Sequence, residues 1–215
     1  MNPTIVIATH RRVELTTGLI NNIFQNQPLT NVVLVVSDHR EVVHFQKIEN
    51  KLLHIVKAEN NPLGLKWQKG VDQARRIKAN PVIILGSDDE LGKDFVVNAC
   101  NKIREGYHFI GLRRFKVKSN RKLYTIDYKP AMPIGGGRIY SAELLDDINW
   151  KLFAPTKNRK LDDDGWNYTL KTGRKILLVS DIEGNGLVVT ANKGSWPMMN
   201  PFNPYHPNIS VVCVE

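Results

Sequence analysis

The chain has 215 residues, 42% hydrophobic and 24% charged, and carries a formal net charge of +9. That composition excludes a disordered or low-complexity polymer, and no stretch approaches the roughly 20 apolar residues of a membrane-spanning helix. Two cysteines far apart in sequence, Cys100 and Cys213, exclude a disulfide scaffold or zinc motif, and the start MNPTIVIATHRR shows no signal-peptide pattern, so a cytoplasmic protein with reduced thiols is expected.

In chain order the first half alternates two kinds of segment. TIVIAT, NVVLVVSD, KLLHIVKAE and PVIILGSDD read as strands, and VELTTGLINNIFQ, EVVHFQKIEN and LKWQKGVDQARRIK between them read as helices. This order is the signature of a parallel α/β layer, and the continuous Val/Ile/Leu runs imply strands covered on both faces. Beyond residue 105, YHFIGLRRFKVK and KLYTIDY are shorter amphipathic runs suited to antiparallel additions. GGGRIYSAELLDDI reads as a Gly loop entering a helix, DDDGWNYTLKTG as a helix ended by Gly173, and KILLVSDI as one more strand. From Asn192 onward, KGSWPMMNPFNPYHPNIS lacks periodicity and reads as ordered irregular chain. One domain over 1–215 is expected, with residues 1–105 as its nucleotide half and 106–215 as its acceptor half.

Polar residues cluster where the strands end: Thr9, His10, Arg11 and Arg12 after the first, Ser37 and Asp38 after the second, and Ser87, Asp88 and Asp89 after the fourth. In a parallel sheet these ends converge on one edge, where ligands of doubly wound folds bind. Adjacent carboxylates such as Asp88 and Asp89 are costly to desolvate unless a divalent cation compensates them. The alternative is an acidic turn in which Ser87 or Asp88 caps the helix LGKDFVVNACNKI.

With IVIATHRR, VVLVVSD, NNPLGLKWQKGVDQAR and ILGSDDE in these positions, the chain resembles a GT-A glycosyltransferase of the large family-two type. The resemblance implies a mixed, mainly parallel sheet flanked by helices, a nucleotide-sugar donor, expected to be a UDP-sugar, and a Mn2+ or Mg2+ ion. Donor-binding roles fall by the same resemblance on Thr9, Arg12, Asp38, Lys66, Gln68 and Ser87, and metal ligation on Asp88, Asp89 and His206. Gly86 stands where the family commonly has the first Asp of Asp-X-Asp, which makes Asp88 the expected principal ligand and Asp89 its doubtful partner. In LDDDGW the resemblance places the catalytic base of an inverting reaction, with Asp163 preferred and Asp162 next to it. One Asp there can be explained as a helix cap.

On the acceptor side the resemblance leads one to expect Gly136, Gly137 and Arg138 of the Gly loop and Trp166, and the basic run adds Arg113 and Arg114. The basic run Arg113, Arg114, Lys116, Lys118, Arg121 and Lys122 favours a polyanionic acceptor. A small basic member of this kind could glycosylate hydroxylated bases in double-stranded DNA, as phage-encoded enzymes do. A cell-surface glycan is the alternative acceptor. A nucleotidyltransferase is the alternative class, although THRRVELTTG lacks the Gly-rich loop such an enzyme needs directly after its first strand.

Overall fold

The computed structural model describes residues 1–119, 122–128, 132–192 and 209–214. Strand β1 (Thr4–Ala8) leads to helix α1 (Val13–Asn26), then β2 (Asn31–Val36), α2 (His39–Phe45), β3 (Leu53–Lys57), α3 (Leu63–Arg76) and β4 (Val82–Gly86). Next come β5 (Asp89–Leu91), α4 (Phe95–Arg104), β6 (Phe109–Leu112), β7 (Arg114–Ser119) and β8 (Lys122–Tyr128). The remainder forms β9 (Arg138–Tyr140), α5 (Ala142–Asp147), α6 (Leu161–Lys171), β10 (Ile176–Val179), β11 (Val189–Asn192) and β12 (Ile209–Val214). No described helix is long and apolar enough to cross a membrane.

Seven strands form the main sheet in the order β10-β6-β9-β4-β1-β2-β3. β4, β1, β2 and β3 are parallel, whereas β9 runs antiparallel to both β4 and β6. Alternate residues of one strand feed opposite cores: Ile5 and Ile7 pack with Leu19, Ile20 and Ile23 of α1, and Val6 packs with Val71 and Ala74 of α3. Both faces are therefore covered, which is why these strands read as unbroken apolar runs. The chain has a GT-A-like mixed α/β fold, as the resemblance implied.

Close packing of α3 on the sheet depends on Gly70. A Cβ there would come within 2.5 Å of Val6 Cγ1 and 2.8 Å of Val35 Cγ2. Alanine gains up to about 1 kcal/mol in helix propensity but forces buried side chains apart. Gly70→Ala is expected to destabilise the fold by about 1–2 kcal/mol net, read from the urea midpoint; a stabilised variant would contradict this packing.

A second sheet, in the order β12-β8-β7-β11-β5, stands beside the first. Its hairpin β7–β8 is antiparallel as expected from sequence, but it belongs to this second sheet instead of extending the first, and the run YHFIGLRRFKVK is divided between β6 of the main sheet and β7. Four strands, β5, β9, β11 and β12, depart from the sequence reading. β9 follows the Gly loop before α5, and β5 converts the residues after the acidic turn into a strand paired with β11. β12 pairs with β8 where irregular chain was expected. In consequence α4 starts later than an acidic-turn cap would place it, with Asp94 rather than Ser87 or Asp88 at its N-cap. α2 also ends at Phe45, short of the run to Asn50. Residues 106–215 contribute β6, β9 and β10 to the main sheet, so both halves of the sequence share it.

Candidate functional site

β4, β1 and β2 are adjacent and parallel, so the segments 9–12, 37–38 and 87–89 lie along one edge of the sheet. Thr9 is tied there by its N–H to the Val35 carbonyl, and its hydroxyl shares a hydrogen bond of 2.8 Å with Thr16. Asp38 caps α2, its carboxylate accepting from Arg40 N–H at 2.7 Å. Glu41 completes this capping box, a role visible in sequence as an acidic residue three positions after Asp38. Its carboxylate accepts from Ser37 and Asp38 N–H at 3.1 Å and reaches across to Arg11 N–H at 2.5 Å.

Lys66 differs from its expected role. Only 1% exposed, its ammonium donates to the Thr9 carbonyl, to Ser37 Oγ at 2.7 Å and to Asn60 Oδ1 at 3.1 Å. Its ammonium is thus taken up by the loops after β1, β2 and β3. Gln68 departs further: its amide donates to the Trp150 carbonyl and to Asp72, and accepts from Leu152 and Phe153 N–H. Those bonds lock α3 to the chain after α5, so Gln68 is a structural clamp, not a donor contact.

At the acidic turn the two carboxylates have separate partners. Asp88, buried, forms an ion pair with Arg12 at 2.8 Å. The Asp89 carboxylate folds back over the turn and accepts from Gly86 N–H at 3.0 Å. A Cβ at position 86 would lie 2.6 Å from Asp89 Oδ2 and 3.2 Å from Asp88 Oδ1, so glycine at this position makes room for both carboxylates. Burial, reinforced by the neighbouring Asp88 charge, pushes Asp89 up from the usual 3.8 to about 7. Ser87 is buried in the same turn.

Asp89 lines three cavities. One of about 230 Å3 also includes Phe115, Ile134, Gly135, Gly136 and Asp162; one of about 320 Å3 includes Trp67, Gly135, Gly136, Arg159, Lys160 and Asp162. A third of about 440 Å3 lies along α1 and includes Asp88. Asp89, expected to be the doubtful partner, is thus the carboxylate common to all three, whereas Asp88 is held by Arg12. Among the described residues no three His, Cys, Asp or Glu side chains gather into a metal-holding group, and His206 lies outside the described residues. The donor set still fits a hard cation that takes most of its ligands from phosphate and water. Mg2+ in particular is commonly held by one or two carboxylates plus substrate phosphates, and a buried carboxylate pair is relieved by such a charge.

The Gly loop passes between Asp89 and α6. A Cβ on Gly136 would lie 2.7 Å from Asp89 Oδ2, and one on Gly135 would lie 2.5 Å from Asp162 Oδ2. These two glycines let the loop fit between the carboxylates. Gly137 takes φ +74, packs against Val189 and Leu112, and donates its N–H to the Ile84 carbonyl, so it serves the turn itself. Arg138 is only 2% exposed, and its guanidinium donates to the carbonyls of Ile134, Pro133 and Asp162, each at 2.7 Å. Expected to face an acceptor, it instead fixes the Gly loop to the first turn of α6.

Within LDDDGW the three carboxylates separate. Asp162 lines both cavities beside the Gly loop. Asp164 is buried and pairs with Lys157 at 2.5 Å. Asp163, the preferred base from sequence, is half-buried on α6 and lines none of these three cavities. A helix exposes successive residues about 100° apart, so a register uncertainty of one residue is enough to exchange cleft for flank.

Trp166 is half-buried and packs against the core, its ring 5.5 Å from that of Phe109 between centroids, and it lines none of the three cavities around Asp89, so it serves packing there. Within the basic run the three cations of β7 are ion-paired, Arg114 with Asp127 at 2.5 Å, Lys118 with Glu90 at 2.6 Å, and Lys116 with Glu183, whereas Arg121 lies outside the described residues. Neither Arg113 nor Arg114 lines the three cavities around Asp89. The cations that do are Arg159 and Lys160.

A two-sheet GT-A-like architecture with an acidic cleft at the carboxyl edge of its parallel strands defines the structural class. No protein-family model matches the chain, and no curated protein matches it in sequence. Solved structures do. S. aureus TarS residues 1–349 in complex with UDP aligns with a TM-score of 0.63 at 18% identity, covering 89% of this chain and 60% of that one. A protein of Desulfovibrio desulfuricans G20 described as a nucleotide-diphospho-sugar transferase aligns at 0.53 and 11% identity, covering 89% and 82%. A 4-diphosphocytidyl-2C-methyl-D-erythritol synthase aligns at 0.53 and 10%, covering 84% and 89%. The chain therefore spans about 60% of the TarS 1–349 structure, and at these identities the likeness is one of fold.

Proposed function

We propose that the chain is a glycosyltransferase that takes a sugar from a nucleoside diphosphate, with UDP as the expected carrier, and delivers it to a hydroxyl acceptor. The observation that carries this reading is the pair Asp89 and Asp162, set on either side of the Gly135–Gly136 loop and facing one cleft. The nucleoside lies over Thr9, Arg12 and Asp38, and its diphosphate runs past Ser87 toward Asp89 with Arg12, Arg159 and Lys160 supplying positive charge. Asp89 and Asp88 would hold Mn2+ or Mg2+, and when bound such an ion neutralises the diphosphate leaving group.

Asp162 acts as general base in a direct displacement. It takes the acceptor hydroxyl proton as that oxygen bonds to the anomeric carbon and the bond from that carbon to the β-phosphate oxygen breaks. The acceptor enters beside Asp162, over the cavity floored by Phe115 and Ile134. With the β7 cations held in ion pairs, the charge argument for duplex DNA loses its main support, and a glycan hydroxyl becomes the stronger alternative. Salt-sensitive binding of duplex DNA by the purified protein would reinstate the DNA reading.

A nucleotidyltransferase is the second reading, favoured by the similarity to the diphosphocytidyl synthase fold. Incubation with a panel of nucleotide-sugars and nucleoside triphosphates separates the two. Slow release of free sugar and nucleoside diphosphate from a nucleotide-sugar is expected, whereas pyrophosphate release from CTP or UTP would favour nucleotidyl transfer.

A further inference from the structure

Two oppositely charged residues on different helices, Glu41 of α2 and Lys66 of α3, are 3% and 1% exposed and line none of the cavities around Asp89. Burying either charge is costly unless its hydrogen bonds are made. Here the bonds go to the nucleotide edge. Glu41 accepts from the N–H groups of Arg11, Ser37 and Asp38, and Lys66 donates to the Thr9 carbonyl, Ser37 Oγ and Asn60 Oδ1. The anion therefore takes backbone donors, and the cation supplies donors to acceptors, on the same two loops. Lys66 adds the loop after β3.

Resting on the nucleotide-sugar reading above, we propose that Glu41 and Lys66 are positioning residues that hold the loops after β1, β2 and β3 in the arrangement that binds the nucleoside diphosphate. Arg11 shows why such a device is needed. It sits at φ +56, a conformation that costs a non-glycine residue of order 1 kcal/mol, and the Glu41 carboxylate secures its N–H. The next residue is Arg12, whose guanidinium reaches Asp88. A chain of contacts thus runs from Glu41 through the Arg11–Arg12 turn to the acidic motif, and loosening its start displaces the cation that meets the diphosphate.

Charge on Lys66 gives the device a pH signature. Burial lowers its pKa to about 8, with the Glu41 carboxylate acting against that shift; the Thr9 carbonyl, Ser37 hydroxyl and Asn60 amide do not titrate. Deprotonation removes a donor from the three-loop junction, so nucleotide affinity should fall as pH rises through about 8.

The test measures UDP affinity by calorimetry, with Mn2+ present, together with hydrogen exchange over residues 9–12, 37–41 and 58–62. Lys66→Met, which keeps the stem and removes the charge, and Glu41→Gln, which keeps the shape, are each expected to weaken UDP at least tenfold. Exchange should quicken in those loops while β1, β2 and β4 stay protected. Ser37→Ala, which leaves both charges in place, should weaken UDP by a smaller factor and serves if either charge variant fails to fold. In Lys66→Met the affinity step near pH 8 should vanish. Folded variants with wild-type UDP affinity and wild-type loop exchange would overturn the proposal. Failure of the wild-type protein itself to bind UDP would contradict the nucleotide reading instead, and the exchange pattern would still report on the junction.

Discussion

Asp162→Asn should lower sugar transfer by a factor of about 10²–10⁴, the usual worth of a general base, while leaving UDP affinity within about twofold. Asparagine fills the same space beside Gly135 but cannot accept the acceptor's proton. Asp163→Asn is the informative control, because Asp163 lines none of the three cavities around Asp89, and its transfer rate should stay within about threefold of wild type. Gly135→Ala adds an independent route to the same conclusion. The new methyl would lie 2.5 Å from Asp162 Oδ2 and must displace the carboxylate, so transfer should fall although Asp162 remains. A reversed order, with Asp163→Asn inactive and Asp162→Asn active, would place the base one residue along α6.

Asp89→Asn has the second large effect, and its two consequences have opposite signs. Loss of the carboxylate common to the three cavities should abolish cation-dependent UDP binding and transfer. Stability of the ligand-free protein should rise. Asp89 has a folded pKa of about 7 against an ordinary 3.8, so on raising the pH the unfolded chain releases this proton first. Stability is therefore lost progressively between about pH 4 and 7, and the full cost is present above pH 7. A shift of about three units corresponds to at most about 4 kcal/mol, so in EDTA at pH 8 Asp89→Asn should unfold at clearly higher urea than wild type. At pH 4 the two midpoints should nearly coincide. Equal midpoints at pH 8 would mean that the carboxylate is not desolvated as the structure shows.

Sequence made the main sheet legible because β1, β2 and β4 are unbroken apolar runs whose polar successors must meet at one edge. It also singled out the acidic turn, the Gly loop and the first turn of α6, which the fold brings together around Asp89 and Asp162. Assigning individual side chains required distances. Lys66 and Arg138 read as ligand-facing cations in a linear chain, yet Lys66 is buried against the Thr9 carbonyl, Ser37 Oγ and Asn60 Oδ1, and Arg138 against the carbonyls of Pro133, Ile134 and Asp162. Gln68 is claimed by the chain 82 to 85 residues further on. The basic alternation of β7 looked like a polyanion stripe because Asp127, Glu183 and Glu90, which neutralise it, come from three other segments. Asp89 gained its place over Asp88 through one local event, the return of its carboxylate onto Gly86 N–H, which no motif spacing encodes.

The most direct measurement is a calorimetric titration of UDP into wild-type and Asp89→Asn protein, each with Mn2+ and with EDTA. Binding by the wild type that strengthens at least tenfold with Mn2+, and a loss of that gain in Asp89→Asn, is the predicted result. UDP binding of equal strength in both proteins, or none in either, would contradict the placement of a nucleoside diphosphate beside Asp89.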